Sequence, residues 1–409
     1  MLDSLIRESY GRLLAYLTLR WRDIEASEDA LGFAFLAALE KWPQTGIPTK
    51  PDAWLLTVAR NKLIDVARQN KWVEQVEQLE SGTSSDYVSS SDFEAWQVPD
   101  ERLRMMLICT HPAIDAQVRP ALILQTVLGL DVKEFAPAFL LSHEAMTKRL
   151  VRAKKKIRES GLAFEFPDSM DLPERLRDLI EAIYAAYCLG HEGALFEGDS
   201  RSALRDEAVQ LARIMASLLP NNAEALGFLA LLLFCESRRG AQQDGDGNFV
   251  PLLEQDTRLW NSDMMREAYK LLSRSASLSS PGPFQIEAAI HAAHCYRART
   301  GVVPWSEITV LYDSLIGLHP TVGAEVSRAV AYAYAYNAEY GLEILNAISE
   351  ERICNYQPWW AARGHLMERL GETERALQAF SRALGLSTQL HIRRYITTRL
   401  RSLASHERS

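Results

Sequence analysis

The stretch Pro51–Lys71, PDAWLLTVARNKLIDVARQNK, is the part of this chain around which the rest is organised. Wound at about 100° per residue, it predicts an amphipathic helix. Trp54 falls opposite the apolar stripe, in line with Asn61 and Arg68. An exposed ring beside an amide and cations can stack on and hydrogen-bond an unpaired nucleobase. The alternative is that Trp54 packs on a neighbouring helix, since indoles are usually largely buried. The apolar stripe comprises Leu55, Leu56, Ala59, Leu63, Val66 and Ala67.

The composition is that of a globular protein of two or three domains. The chain has 409 residues, of which 47% are hydrophobic and 24% charged, which is an ordinary balance. No apolar run approaches the roughly 20 residues that span a bilayer, and the N-terminus lacks the pattern of a signal peptide. Five cysteines are scattered without a Cys-x-x-Cys pair. We therefore expect a cytoplasmic protein with reduced thiols, no membrane contact and no cysteine zinc site.

Charge is distributed unevenly along the chain. The net charge is −8, yet residues 73–101 alone carry eight acidic residues and no base. Without that segment, residues 1–160 carry a net charge of +7. The N-terminal part is therefore compatible with nucleic-acid binding in spite of the acidic total.

Helical periodicity and loop residues divide the chain into four parts, and the predicted fold class is all-α. Residues 1–72 form a compact helical unit, with one helix from Tyr10 to Trp21 and a second that ends at Trp42,. Residues 73–101 are rich in serine and acid and predict a flexible linker. Residues 102–162 form a second helical unit, and residues 171–400 a third.

The second unit ends in a pattern typical of a helix-turn-helix. Asp131 and Glu134 form a predicted capping box, and Ser142 is a suitable N-cap for a helix over 143–158. Residues 148–158 include seven bases and no acid, which favours insertion into a DNA major groove. The alternative is a solvated basic helix end. Pro137 should kink or shorten the first helix. The second helix should bury Met146, Leu150, Ala153 and Ile157, and its other faces carry Lys148, Arg149, Arg152, Lys154, Lys155, Lys156 and Arg158.

Two DNA-reading units separated by an acidic linker resemble an RNA polymerase sigma factor of the extracytoplasmic-function class. The order and spacing of three motifs carry the resemblance. The matching strings are Ala53–Asn61 with Asp65 and Arg68, similar to region 2.3–2.4; Glu28–Ala30 through Leu39–Trp42, similar to region 2.2; and Leu150–Arg158, similar to the end of region 4.2.

The resemblance implies partners and site residues. Core RNA polymerase, through its β′ and β subunits, and promoter DNA would be the partners, and no cofactor or metal is implied. Recognition of the −10 promoter element would fall to Trp54, Arg60, Asn61, Lys62 and Arg68. Recognition of the −35 element would fall to Ser142, Glu144, Thr147, Lys148, Arg149, Arg152 and Lys155. Polymerase binding would fall to Glu25, Glu28 and Asp29. Phe33 stands where the family usually has a carboxylate in region 2.2.

The third unit carries a repeat pattern of the tetratricopeptide (TPR) type. Small residues at two fixed offsets would let paired helices approach, and an aromatic residue would fill the gap between them. The C-terminal part also resembles a sigma-factor subgroup with a TPR-like extension, which implies that it modulates activity, with a regulatory protein or ligand as its partner. The repeat residues are Trp360, Gly364, Gly371, Ala376, Phe380 and Ala383.

The remaining residue patterns do not predict an enzyme active site. Asp244, Asp246 and Asn248 begin like a calcium loop, but Phe249 and Gln255 occupy positions that need glycine and glutamate, so a polar turn is the interpretation. His291 and His294 could share a helix face without a third ligand. We predict a sigma factor. The competing hypotheses are a helical-repeat regulator that binds DNA or protein without recruiting polymerase, and a hydrolase that uses the two histidines.

Overall fold

The computed structural model describes residues 2–69, 98–139, 141–159, 172–194, 198–245 and 248–406. This part of the chain is all-α, as predicted, and contains no strand beyond an isolated bridge between Gln243 and Phe249. In the described ranges, no helix has both the length and the apolarity needed to cross a bilayer. Two compact units are formed, one from Met1–Gly190 with Ser200–Ile214 and the other from His191–Asp199 with Met215–Ser409.

The first three helices form a small bundle, α1 (Leu2–Trp21), α2 (Ile24–Thr45) and α3 (Pro51–Gln69). Four residues of the predicted stripe of α3 lie in the common core with Leu14 and Leu31. Val66 and Ala67 are half-buried. The Asp23 side chain caps α2 by accepting from the Ala26 amide at 3.1 Å. The prediction that α2 ends at Trp42 was wrong by one turn, since the Gly46 amide bonds to the Trp42 carbonyl and closes the helix beyond Pro43.

The next segment comprises α4 (Val98–Cys109), α5 (Arg119–Thr126), α6 (Val132–Phe135) and α7 (His143–Glu159). Helix α4 begins inside the segment predicted as a linker to residue 101, and residues 73–97 lie outside the described ranges. The capping box of Asp131 and Glu134 forms. The α-helix ends at Phe135, and Pro137 lies in a 3₁₀ turn, Ala136–Phe139, as expected from a shortened helix. The four predicted core residues of α7 are all buried.

Helices α8 (Leu172–Ala194) and α9 (Gly198–Leu218) follow. The prediction assigned them to the third unit, but most of their residues belong to the first compact unit. Arg119 of α5, only 5% exposed at its side chain, pairs with Asp178 at 2.6 Å and with Glu174 at 3.2 Å. The Asp178 side chain is 14% exposed, so removing either partner of the Arg119–Asp178 pair would leave a largely desolvated charge.

The second unit is a succession of helices joined by short turns. In its C-terminal hairpin, α18 (Gln357–Arg369) and α19 (Thr373–Leu386) are joined at Gly371, whose φ of +76° suits glycine,. Gly364 lies against Phe380, so that a β-carbon there would be 2.9 Å from the ring. The small-residue and aromatic positions predicted from the repeat pattern therefore meet. The helices are α10 (Ala223–Ser237), α11 (Ser262–Ser277), α12 (Pro283–Cys295), α13 (Arg297–Thr300), α14 (Trp305–Leu318), α15 (Val322–Ala335), α16 (Ala338–Asn346), α17 (Glu350–Ile353), α18 (Gln357–Arg369), α19 (Thr373–Leu386) and α20 (Leu390–His406).

Replacing Gly364 with alanine is expected to destabilise the second unit by about 1–3 kcal/mol, the usual cost of overpacking. Gly385 is the matched control, because it lies on the same hairpin and a β-carbon there meets nothing within 4 Å. Gly385→Ala should be neutral or stabilising by up to about 1 kcal/mol, since alanine favours the helix. Urea midpoints of the two variants measure the difference. Equal midpoints would contradict the close approach of α18 and α19.

Candidate nucleic-acid and polymerase interface

The predicted −10 residues lie along α3. The start of this helix is fixed by Asp52, which accepts from Ser9 and pairs with Arg12. Asn61 and Arg68 are exposed. Arg60 and Lys62 are half-buried, as expected of long side chains whose stems lie on apolar surface,. The exposed face of α3 therefore carries one amide, Asn61, and one exposed cation, Arg68.

Trp54 is half-buried rather than exposed as predicted. Its ring lies edge-to-face on Trp42 of α2, with centroids 5.5 Å apart. The alternative interpretation, packing on a neighbouring helix, is thus observed. Trp54 is nevertheless not fully buried, so part of the residue remains accessible near the start of α3.

The predicted polymerase-binding residues lie at the start of α2. Asp29 is exposed. Glu28 and Glu25 are instead paired with bases of α7: the Lys154 ammonium lies 2.7 Å from both oxygens of Glu28, and Arg158 lies 2.7 Å from Glu25. Burial raises the pKa of Glu28, and the neighbouring Lys154 counteracts this shift. Two of the three predicted polymerase-binding residues therefore form ion pairs with residues of the same chain.

An exposed apolar strip continues along α2 from Asp29. Phe33, Leu36 and Leu39 expose 47%, 62% and 44% of their surface. The Lys62 ammonium lies 5.1 Å from the centre of the Phe33 ring. A contiguous apolar strip beside charged groups is typical of a protein-binding surface. The sequence prediction named Phe33 only as a departure from its family and missed Leu36 and Leu39. The signal was present, because α2 carries more apolar residues than one core-facing stripe needs.

The predicted −35 residues lie on α7 and at its start. The Ser142 hydroxyl caps the helix by accepting from the Ala145 amide at 3.2 Å. Arg149 is half-buried and donates to Gln117 at 3.3 Å, and Thr147 is half-buried too. Lys154 was predicted among the outward-facing bases, but its side chain is only 7% exposed, because it pairs with Glu28 of α2. The exposed members of the predicted set are Ser142, Glu144, Lys148, Arg152 and Lys155.

The two histidines considered as possible metal ligands, His291 and His294, lie on α12. His291 Nδ1 lies 2.8 Å from the Arg238 guanidinium. Burial lowers the pKa of His291 well below its ordinary value, and that of His294 to about 4. Across the described ranges, no three metal-ligating side chains converge. Asp244 accepts from the Asn248 amide at 2.8 Å, as in the predicted polar turn, whereas Asp246 lies outside those ranges.

The pKa of His294 predicts that stability falls as the pH drops below about 6.5. The unfolded chain takes up a proton there while folded His294 stays neutral until about pH 4, so the loss is about 2 kcal/mol at pH 5. His294→Gln should lose correspondingly less between pH 7 and pH 5, as measured by urea unfolding. Glu287, whose pKa burial raises to about 7, acts in the opposite direction but equally in both chains. Parallel losses in the two chains would contradict the prediction.

Comparison with known proteins identifies the N-terminal domain of the chain. Residues 5–73, which include α2, α3 and all but the first three residues of α1, match Sigma-70 region 2. Residues 175–276 match a family of unknown function, DUF6596. A protein of Rhizobium meliloti (strain 1021), described as uncharacterized, is 35% identical over 401 residues, which cover 97% of this chain and 94% of that protein. The chain therefore belongs to the same family as this rhizobial protein, and its region 2 domain makes it a sigma-70 family factor that binds RNA polymerase for promoter recognition.

Proposed function

We propose that this sigma factor belongs to the extracytoplasmic-function class and directs core polymerase to promoters through two DNA-reading surfaces. Helix α3 would capture bases of the −10 element, and α6 with α7 would act as a helix-turn-helix on the −35 element. The observation that supports this most is the match to region 2 over α1–α3, where the exposed strip of α2 and the exposed amide of Asn61 lie.

The basic face of α7 supports the second surface. Its exposed bases lie opposite a stripe of buried residues, and Ser142 caps its start, which suits insertion of the helix N-terminus into a groove,. The chain itself would perform recognition, with bond formation left to the polymerase. A factor of this kind acts where polymerase and chromosome are, so we place it in the cytoplasm.

The helical C-terminal unit would modulate this activity. The close approach of Gly364 to Phe380 in the α18–α19 hairpin supports a TPR-like unit, and stacked hairpins offer an extended surface for a regulatory protein or ligand. The alternative function, a repeat regulator that binds DNA or protein without polymerase, uses the same surface but leaves the exposed strip of α2 without a role.

Run-off transcription with purified core polymerase tests the proposal, using DNA upstream of the chain's own gene as template. The full chain should initiate at a defined start site, and core polymerase alone should not. A truncation after Leu219 keeps α8 and α9, whose Asp178 and Glu207 pair with Arg119 and Arg102 of the first compact unit. Its rate relative to the full chain shows whether the extension restrains or supports initiation. Duplex binding with no affinity for core polymerase would favour the repeat regulator.

A further inference from the structure

Helix α11 carries a row of cations and hydroxyls along one side of the second unit. Together with Arg299 of α13, this side of the helix lines a groove of about 920 Å³. Among the described residues, the lining of the groove includes three serines, no acid and four bases, which are Arg266, Lys270, Arg274 and Arg299. We call this surface the α11 groove.

The positive charge of the α11 groove is a local concentration. Residues 215–409, which make up most of the second unit, carry 19 bases and 20 acids and are therefore close to neutral. The four bases of the groove are all exposed. Asp263 pairs with Arg266 at 3.0 Å, but both side chains are largely exposed. Such a pair is weak and leaves the guanidinium able to contact another anion.

The other side of α11 is fixed to its neighbours. Ser275 is buried and donates to the Ala223 carbonyl of α10 at 2.7 Å. The Tyr269 hydroxyl donates to the Ala292 carbonyl of α12 at 2.8 Å. The Tyr269 ring also lies edge-to-face on Phe234, with centroids 4.9 Å apart. The helix therefore presents its cations on a firmly packed support.

The spacing of the bases suits a polyanion that runs along the helix. Arg266, Lys270 and Arg274 follow one another at intervals of four residues, or about 6 Å per step. The lined face extends from Ser262 to Ser277, which is about 22 Å of helix. One strand of duplex DNA rises by about that length over six phosphates. Arginine, lysine and serine side chains are all common donors to phosphate oxygens.

An acidic protein surface is the other polyanion to consider, and the composition of the groove disfavours it. The cores of protein interfaces are rich in aromatic residues and poor in lysine and serine. The apolar residues that line the groove are Met265 and Tyr269, and both are half-buried. The described lining therefore has no exposed aromatic side chain to act as an anchor.

We propose that the α11 groove binds the phosphate backbone of promoter DNA. A sigma-70 family factor is brought to duplex DNA by the polymerase that it binds, so this polyanion is at hand. The contact goes beyond the proposed function, because it adds a third DNA-binding surface that lies outside α3 and α7. It raises affinity without selecting a sequence, since phosphates carry no sequence information directly.

The test is the affinity of the full chain, assembled with core polymerase, for a promoter duplex that extends well beyond both elements. Arg266→Gln should bind about 3- to 10-fold more weakly at about 0.1 M salt, because one phosphate contact is lost. The slope of log affinity against log salt concentration should become less steep by about 0.9. Both changes should be equal on a duplex of scrambled sequence.

Arg375→Gln is the matched control, because it removes the same charge from a similar ion pair in the second unit. Arg375 pairs with Glu372 at 2.8 Å and is 67% exposed at its side chain, against 3.0 Å and 64% for Arg266 with Asp263. In both pairs the partners are three positions apart. The affinity of Arg375→Gln should stay within about twofold, with an unchanged salt slope. Equal affinities and slopes of the two variants would overturn the proposal.

Lys270 gives a direct readout, because it is the only lysine after position 156. Its acetylation by acetic anhydride, measured by mass spectrometry, should be slowed several-fold when promoter duplex is added to the complex with polymerase. Unchanged acetylation would overturn the contact. Protection by polymerase alone would also overturn it and would assign the groove to an acidic protein surface.

The scrambled duplex separates this proposal from the proposed function. If the unmodified complex binds promoter and scrambled duplexes equally, promoter recognition by α3 and α7 fails. Protection of Lys270 on both duplexes would still support the α11 groove as a phosphate-binding surface. Promoter-specific binding without protection of Lys270 would remove the groove alone.

Discussion

Arg152→Ala is expected to weaken binding of the polymerase complex to −35 duplex DNA by roughly 5- to 100-fold, corresponding to about 1–3 kcal/mol for one specific contact. Arg152 is exposed on α7, and its Nε donates to the Lys148 carbonyl at 3.3 Å, which holds the side chain along the helix. Titration of a labelled duplex at fixed salt measures the effect. Because the residue packs on no core position, the helix should remain folded.

The control for this change is Lys41→Ala, which removes one positive charge from an exposed position on α2. Its effect should be limited to the weak, salt-dependent attraction that any cation contributes. An equal loss of duplex affinity in both variants would mean that Arg152 contributes only non-specific electrostatic attraction. An unchanged affinity and an unchanged footprint for Arg152→Ala would remove α7 from −35 recognition.

The helices themselves were predictable from the sequence because their period is local. Met146, Leu150, Ala153 and Ile157 follow a spacing that any amphipathic helix imposes, and all four are buried,. The contact of Gly364 with Phe380 was equally predictable, because a short turn at Gly371 fixes the register of the two helices.

Contacts between distant segments were not predictable in this way. Lysine next to an apolar stripe is normally exposed, and the burial of Lys154 depends on Glu28, which is 126 positions away. The pairing of Arg119 with Asp178 joins α5 to α8 in the same manner. Periodicity shows that a helix has an apolar face but not which helix covers it.

The structure also changes how Trp54 is to be tested. With its ring against Trp42, Trp54→Ala removes both a base-stacking surface and a packing contact, and aromatic contacts of this kind contribute about 0.5–1.5 kcal/mol beyond the area they bury. The variant is expected to lower the melting temperature as well as promoter opening. Asn61, which is exposed on the same helix, separates the two effects.

Asn61→Ala is expected to reduce promoter opening by about 10-fold or more while leaving affinity for the closed duplex within about twofold. An amide that hydrogen-bonds the edge of an unstacked base contributes only once the base has left the duplex, and loss of a good contact to a base edge costs about 1–3 kcal/mol. Permanganate reactivity of −10 thymines measures opening, and binding of a single-stranded −10 oligonucleotide measures base capture separately.

Gln44→Ala is the matched control, because it removes an exposed amide from α2 in the same domain. It should alter neither the permanganate reactivity nor the binding of the single-stranded oligonucleotide. If Asn61→Ala lowers single-strand and duplex binding equally, the residue contributes general affinity and base capture must be assigned elsewhere on α3. If it lowers single-strand binding alone while Trp54→Ala lowers stability as well, the exposed face of α3 reads the base and Trp54 holds that face in place through Trp42. The preservation of duplex affinity is what distinguishes base capture from ordinary DNA binding.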